Sequence, residues 1–279
     1  MSTTILAHEP AIRLAVFLAV LLVAAAAEAL APRRRRFVSR WGRWPANLGI
    51  VALNALAVRA IFPVAAVGLA AIAAAHGWGL LNNLPLPGWA GFVLTILLLD
   101  IAIYLQHVMF HAVPALWRVH RMHHADLDFD VTTGGRFHPI EIVLSMALKL
   151  AVVAALGGPA AAVLVFEVLL NATSMFNHAN LALPQRLDSV LRLIVVTPDM
   201  HRVHHSAVPS ETNSNFGFNL PWWDRLLGTY LAQPGVGHQG MTIGLDIFRD
   251  PAQLRLGRML VQPFAAPAGR YPINRREAA

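Results

Sequence analysis

Apolar positions fall into five long runs separated by short polar, proline-rich or glycine-rich stretches. The runs are Leu14 to Ala31, Ala46 to Ala75, Trp89 to Gln106, Ile142 to Leu156 and Pro159 to Phe176, the last two parted only by Gly157 and Gly158. The third has 18 residues, and at ~1.5 Å per residue it covers ~27 Å, about one hydrocarbon thickness. These runs predict transmembrane helices, with a kink at Pro63 in the second and an out-and-back hairpin from the last two. Beyond them, Leu187, Val190, Leu191, Ile194 and Val195 recur at helical spacing, with Arg186, Asp188 and Arg192 opposite. That pattern predicts a helix lying in the membrane surface. Thr197 followed by Pro198 reads as the N-cap and first turn of another helix.

Composition excludes a soluble globule. Hydrophobic residues make up 56% of the chain and charged residues 13%, against about 25% charged in soluble domains. Between Arg43 and Asp100 the sole charge is Arg59, and between Glu141 and Arg186 only Lys149 and Glu167 occur. Intramembrane charges are costly and tend to pair. Lys149 lies eight residues before Gly157 and Glu167 nine after Gly158, so the hairpin predicts that they face each other; the alternative is a snorkelling Lys149 and a neutral Glu167. Arg33, Arg34, Arg35, Arg36, Arg40 and Arg43 directly follow the first run, as on a cytoplasmic loop. A retained first helix with its N-terminus outside follows; the competing reading is a signal peptide ending at Ala29-Leu30-Ala31. This cluster accounts for most of the net charge of +7, so no nucleic-acid partner is expected.

Cysteine is absent, which excludes disulfides, thiolate metal sites and cysteine nucleophiles. Histidine carries the chemistry. Ten of the 13 histidines lie between His107 and His205. His107 and His111 are spaced i, i+4; His120, His123 and His124 form a triplet at i, i+3, i+4, and His201, His204 and His205 form another. Such spacing puts the rings of each set on one helical face. His178 ends the fifth run, and the topology brings all nine positions to the same side of the membrane. Nine imidazoles suit two ions, although neutral imidazole binds iron, zinc, copper and nickel alike. The H-E-x-x-H pattern of zinc hydrolases and the paired Glu-x-x-His motifs of helix-bundle di-iron proteins are both missing. His8, His76 and His238 read as ordinary structural histidines.

The ordered series Asp100-x3-Tyr104-x2-His107-x3-His111, His120-x2-His123-His124 and His201-x2-His204-His205, followed by Asn215-Phe216-Gly217 and Trp223-Asp224-Arg225-Leu226-Leu227-Gly228-Thr229, resembles the fatty acid hydroxylase and sterol desaturase superfamily of membrane di-iron enzymes. The resemblance implies an all-α integral membrane protein of about four to five transmembrane helices, with a cytosolic helical cap carrying the histidines. It implies two irons and O2 used to hydroxylate or desaturate a lipid: fatty acyl, sterol-like, carotenoid or alkyl ether. It carries His107, His111, His120, His123, His124, His178, His201, His204 and His205 over as ligands; His138 is either a tenth ligand or a group that orients one. The implied organisation is 1–88 for the N-terminal transmembrane part, 89–230 for the catalytic region and 231–279 for a C-terminal tail. The cell (inner) membrane is the expected location, with the histidines on the cytoplasmic side. No haem or flavin motif is fused to the chain, so electrons are expected from a separate ferredoxin, cytochrome b5 or reductase.

Asp100, Asp199, Asp224 and Glu141 are candidates to accept the outer N–H of a ligand histidine. Arg118, Arg121 and Arg202 are candidates for a lipid head or else plain positive-inside charges, and Trp222 and Trp223 read as interfacial anchors. The competing class is a non-redox membrane protein that binds or transports a divalent metal, whose ligands belong near mid-bilayer.

Overall fold

The computed structural model describes residues 6 and 8–274. Its first seven helices are α1 (Glu9–Leu30), α2 (Arg40–Ile61), α3 (Ala66–His76), α4 (Gly88–Ala112), α5 (Pro114–His124), α6 (Pro139–Leu156) and α7 (Ala160–Asn177). Shorter helices follow: α8 (Gln185–Leu191), α9 (Pro198–His204), α10 (Pro209–Thr212), α11 (Trp222–Leu226), α12 (Gly237–Gly240) and α13 (Leu256–Ala265). Among the described residues there is no strand, only the isolated bridges Pro32–Leu181 and Ser206–Ile243. Five spans are long and apolar enough to cross a membrane: α1, α2 with α3, α4, α6 and α7. Helices suit this setting because each satisfies its own backbone groups. The chain is an all-helical integral membrane protein.

Pro63 does more than kink the second run. It ends α2: Phe62 turns extended at φ −112° and ψ 99°, and α3 starts afresh at Ala66. Proline offers no N–H to the helical ladder and disfavours helical geometry in the residue before it. The surface helix is also shorter than its spacing suggests, closing at Leu191. Asp188 and Arg192 pair on its buried side, while Leu187, Val190, Leu193 and Ile194 stay exposed.

Helix α7 is the axis of the bundle. α1, α3 and α4 pack on it, burying Ala162, Val163, Leu164 and Phe166. The α6–α7 turn uses Gly157 at φ +63°, a conformation that costs glycine little. Leu80 N donates to Ala155 O at 2.9 Å, so the loop after α3 meets the hairpin tip at one end of the bundle. Lys149 Nζ lies 2.7 Å from Glu167 Oε1 as expected, and Arg13 joins the pair from α1.

The opposite end is polar. Arg43 is fully buried and forks onto Asp126, with Nε to Oδ1 at 2.7 Å and Nη2 to Oδ2 at 2.6 Å, while its Nη1 reaches Asp130 at 2.6 Å. Burial pushes the Asp126 carboxyl up, but the Arg43 and Arg136 charges outweigh it and hold the group at about 2. Glu28, also buried, accepts from Val131 N, Asn180 N and Arg40. The arginine cluster after α1 thus bonds into the loops that carry the histidines; Arg35 and Arg36 remain exposed. The C-terminal segment closes this end, with α13 packed on α5.

Removing Arg43 leaves Asp126 and Asp130 buried without the guanidinium that bonds both, with only the more distant Arg136 charge to offset Asp126. Arg43→Met is expected to cost about 3–5 kcal/mol, as when one partner of a buried pair is lost, whereas Arg35→Met stays within about 0.5 kcal/mol. Thermal unfolding of the two variants in the same detergent checks the contrast.

Candidate metal centre

Four backbone elements deliver the histidines. α4 runs past the expected Gln106 to Ala112 and carries His107 and His111. Val113 breaks out at φ −94° and ψ 118°, and Pro114 starts α5 at once, folding His120, His123 and His124 back against α4. His178 is the C-cap of α7. Thr197 caps α9 by accepting from Met200 N at 3.4 Å, and α9 presents His201, His204 and, just past its end, His205.

All nine side chains are buried. They form two groups with ring nitrogens within 4.8 Å of one another: His107, His111, His120, His124 and His204 in one, His123, His178, His201 and His205 in the other. Each triplet is split between the groups. The i, i+4 pair His120 and His124 serves the first while His123 crosses to the second; His201 and His205 serve the second while His204 crosses to the first. Triplets on one helical face would each fill a single site. The observed crossing makes the two sites share both helices, so neither forms without the other's scaffold.

Hydrogen bonds fix most of the rings. Nδ1 donates to Phe216 O from His107 at 2.7 Å, to Arg136 O from His123 at 3.2 Å, to Ser174 O from His178 at 2.7 Å and to Ser214 O from His204 at 2.7 Å. His111 Nδ1 meets Asn213 Oδ1 at 3.0 Å, and His120 Nδ1 meets Glu141 Oε1 at 2.6 Å. These oxygens accept, so Nδ1 carries the proton and Nε2 is left with a lone pair.

Those lone pairs point at each other. His107 Nε2 and His120 Nε2 are 3.1 Å apart, and His123 Nε2 and His178 Nε2 are 3.2 Å apart. Neither contact can be a hydrogen bond between neutral rings, because both protons are already placed. At the second contact protonation is no remedy: burial, then the neighbouring imidazoles, pushes His123 well below the ordinary histidine range, and burial takes His178 down to about 3. Two nitrogens ~2.1 Å from one cation and at right angles to each other would lie ~3 Å apart. Each group therefore fits a bound metal ion, and one contact of this kind occurs in each.

His138 is not in either group. It caps α6, its Nδ1 accepting from Ile140 N at 3.1 Å, and its Nε2 faces Leu260 O at 3.2 Å. Of the four carboxylates considered, only Glu141 touches a histidine of the two groups. Asp224 instead accepts from Phe216 N, Gly217 N and Thr229 Oγ1, and so shapes the loop whose Phe216 carbonyl holds His107. Asp100 binds Asn219 Nδ2, Leu220 N and Trp223 Nε1, so Trp223 pins this loop and is no free interfacial anchor. Asp199 pairs with Arg33 and Arg202. The three arginines considered for a lipid head are committed to the protein: Arg118 to Pro263 O, Arg121 to Gln262 O, Ala266 O and Pro267 O, and Arg202 to Asp199 and Ala179 O.

Several supports lie outside the residues considered as ligands or their carboxylate partners. Asn215 sits at φ +51°, where asparagine is among the better tolerated residues. Its side chain bonds Met200 O, Leu231 O and Leu231 N. The carbonyls on either side of it, Ser214 and Phe216, are the ones that hold His204 and His107. Asn213 is oriented by Tyr271 O at 2.7 Å, and Tyr271 stacks on Trp117, which lies against His111 and His124. The N-F-G motif signals Asn215; nothing in spacing or composition signals Asn213 or Tyr271.

Residues 92–229, which contain both groups, match the model of the fatty acid hydroxylase family. The chain belongs to the fatty acid hydroxylase superfamily. It is 34% identical over 142 residues to the ornithine lipid hydroxylase of Rhizobium tropici, covering 51% of this chain and 42% of that protein. It is 27% identical over 218 residues to the alkylglycerol monooxygenase of Xenopus tropicalis, covering 75% of this chain and 46% of that one. The chain thus spans under half the length of these relatives. No solved structure matches it.

In this member of the superfamily, His178→Ala is expected to remove about one metal equivalent per chain, by elemental analysis of purified protein. His138→Ala should leave metal content unchanged and cost about 1 kcal/mol of stability as a lost helix cap. Asn215→Leu should weaken metal retention about 10–100-fold against a chelator, the usual consequence of disturbing groups behind the ligands.

Proposed function

We propose that this chain is a membrane-bound non-haem di-iron oxygenase that hydroxylates a lipid. Support comes chiefly from one observation: two groups of buried imidazoles, most of them held through Nδ1, lie at the end of the transmembrane bundle, and one of them opens on a cavity running into the bundle. That cavity is about 260 Å³ and is lined by His107, His120, Phe110, Phe137, Ile103 and Leu170 among others. A lipid can enter from the bilayer and bring a carbon beside the first histidine group.

His107, His111, His120, His124 and His204 would hold one iron, and His123, His178, His201 and His205 the other. Breaking an unactivated C–H bond is beyond acid–base groups, and bound iron would supply the redox chemistry with O2. The overall reaction is R–H plus O2, two electrons and two protons giving R–OH and water. The electrons come from a separate donor of the ferredoxin, cytochrome b5 or reductase type. The chain's own contribution is to fix six of the nine ligand rings through Nδ1, to keep bulk water out by burial, and to place the alkyl group against His107 and His120. The names of the relatives, hydroxylase and monooxygenase, favour hydroxylation over desaturation. The arginine cluster between α1 and α2 lies at the histidine end and supports a cytoplasmic site in the cell membrane. A metal transporter would want ligands near mid-bilayer; here the deepest, His107, is in the last two turns of α4.

Lipid extracts from cells expressing the wild type under isotopically labelled O2 are expected to contain a lipid species with one labelled oxygen, missing from a His204→Ala strain. Equal labelling in the two strains, or none in either, would refute the proposal.

A further inference from the structure

Among the buried oxygens that have no hydrogen-bond donor, three converge: Asn54 Oδ1, Gln106 Oε1 and Glu141 Oε2. They come from α2, α4 and α6, and all three residues line the cavity described above, beside His107 and His120. Such convergence is informative because buried polar atoms are nearly always paired. The protein itself orients Asn54 and Glu141. Asn54 spends its NH2 on Phe137 O at 2.9 Å, which can only accept, so its oxygen must face away from that contact. Gln106 Nε2 is used on Ser145 Oγ at 2.7 Å, and Glu141 Oε1 on His120 at 2.6 Å. Ser174 Oγ donates to Gly134 O and Asn171 Nδ2 to Glu167 O, while Lys149, two turns along α6 from Glu141, spends one N–H on Glu167.

The cavity therefore offers acceptors. A bare alkyl chain would leave all three oxygens unpaired, and it is the wrong occupant for this part of the wall. Resting on the lipid-hydroxylase reading, we infer that the substrate inserts a head group bearing hydrogen-bond donors, hydroxyl or amine, which Asn54, Gln106 and Glu141 select. The carbon presented to the first histidine group then lies within a few bonds of that head and not in the middle of a chain. The chain itself trails through the neighbouring cavity, which shares Phe17, Val51 and Asn171 with the first and is otherwise mostly apolar.

The test is binding to the purified, metal-loaded protein in detergent, read by displacement of a fluorescent lipid. Two matched probe pairs differ only in donors: a monoacylglycerol against its dimethyl ether, and a long-chain primary amine against its N,N,N-trimethyl counterpart. At least one donor-bearing probe should bind ten-fold or more tightly than its partner. In the Asn54→Leu/Gln106→Leu variant, with wild-type metal content and melting temperature, that ratio should fall to within two-fold. Equal affinities within both pairs in the wild type would overturn the inference, meaning that water alone satisfies these oxygens. So would a ratio unchanged in the variant; should the variant not fold, the wild-type comparison decides. Preference without any oxygen incorporation would sink the oxygenase reading alone, and incorporation without preference would sink this inference alone.

Discussion

Nine imidazole lone pairs directed at two small volumes in a dry interior repel one another, and the rest of the molecule exists in part to hold them there. A single buried histidine can turn its ring and find a partner. These cannot, because six of them have Nδ1 tied to a fixed oxygen. The arrangement is unfavourable until a cation occupies each focus, at which point the same pre-set geometry becomes an advantage because no ring has to reorient. Holding repelling groups in register demands stiffness, and the stiffness is found in charged pairs buried just behind the rings, such as Arg43 with Asp126 and Asp130.

Those pairs also explain how a polar cap sits on an apolar bundle. Glu28 at the end of α1 and Arg43 at the start of α2 belong to transmembrane helices, yet their partners Val131, Asn180 and Asp126 belong to the histidine-bearing loops. Each connection is fully desolvated, so it is strong only if complete. The cap is thus keyed to the membrane helices by a few multidentate contacts beside apolar packing such as Val131 on Ala24 and Met122 on Ile50.

Much of this was legible in the sequence, for reasons of periodicity. Apolar runs gave the spans, Lys149 and Glu167 gave the hairpin register, Thr197-Pro198 gave the start of α9, and i, i+4 spacing gave the histidine pairs. The errors have a common physical cause: contacts between segments distant in sequence. His138 lies in a cluster-rich region but its Nε2 faces Leu260 O, far along the chain. The alternating Asp126, Asp128 and Asp130 were passed over because their partners, Arg43 for two of them and the Phe37 and Val38 amides for the third, lie some ninety residues away. The splitting of each triplet between the two groups depends on how α5 and α9 approach each other, which spacing along one helix does not encode. Arg118, Arg121 and Arg202 looked free for a ligand because backbone carbonyls, their actual partners, leave no trace in residue type.

The clasp formed by the C-terminal segment sets the order of assembly. Arg121 on α5 is gripped by carbonyls from Gln262, Ala266 and Pro267, and Tyr271 backs the Trp117 ring against two of the histidines. During synthesis the membrane helices, and every histidine with them, leave the ribosome before these residues do. Until residues 262–271 have emerged and docked, α5 lacks its outer wall, so the nascent protein carries all these ligands in an unlocked arrangement. Maturation of the centre thereby waits on this segment, made after the membrane bundle that is to receive it.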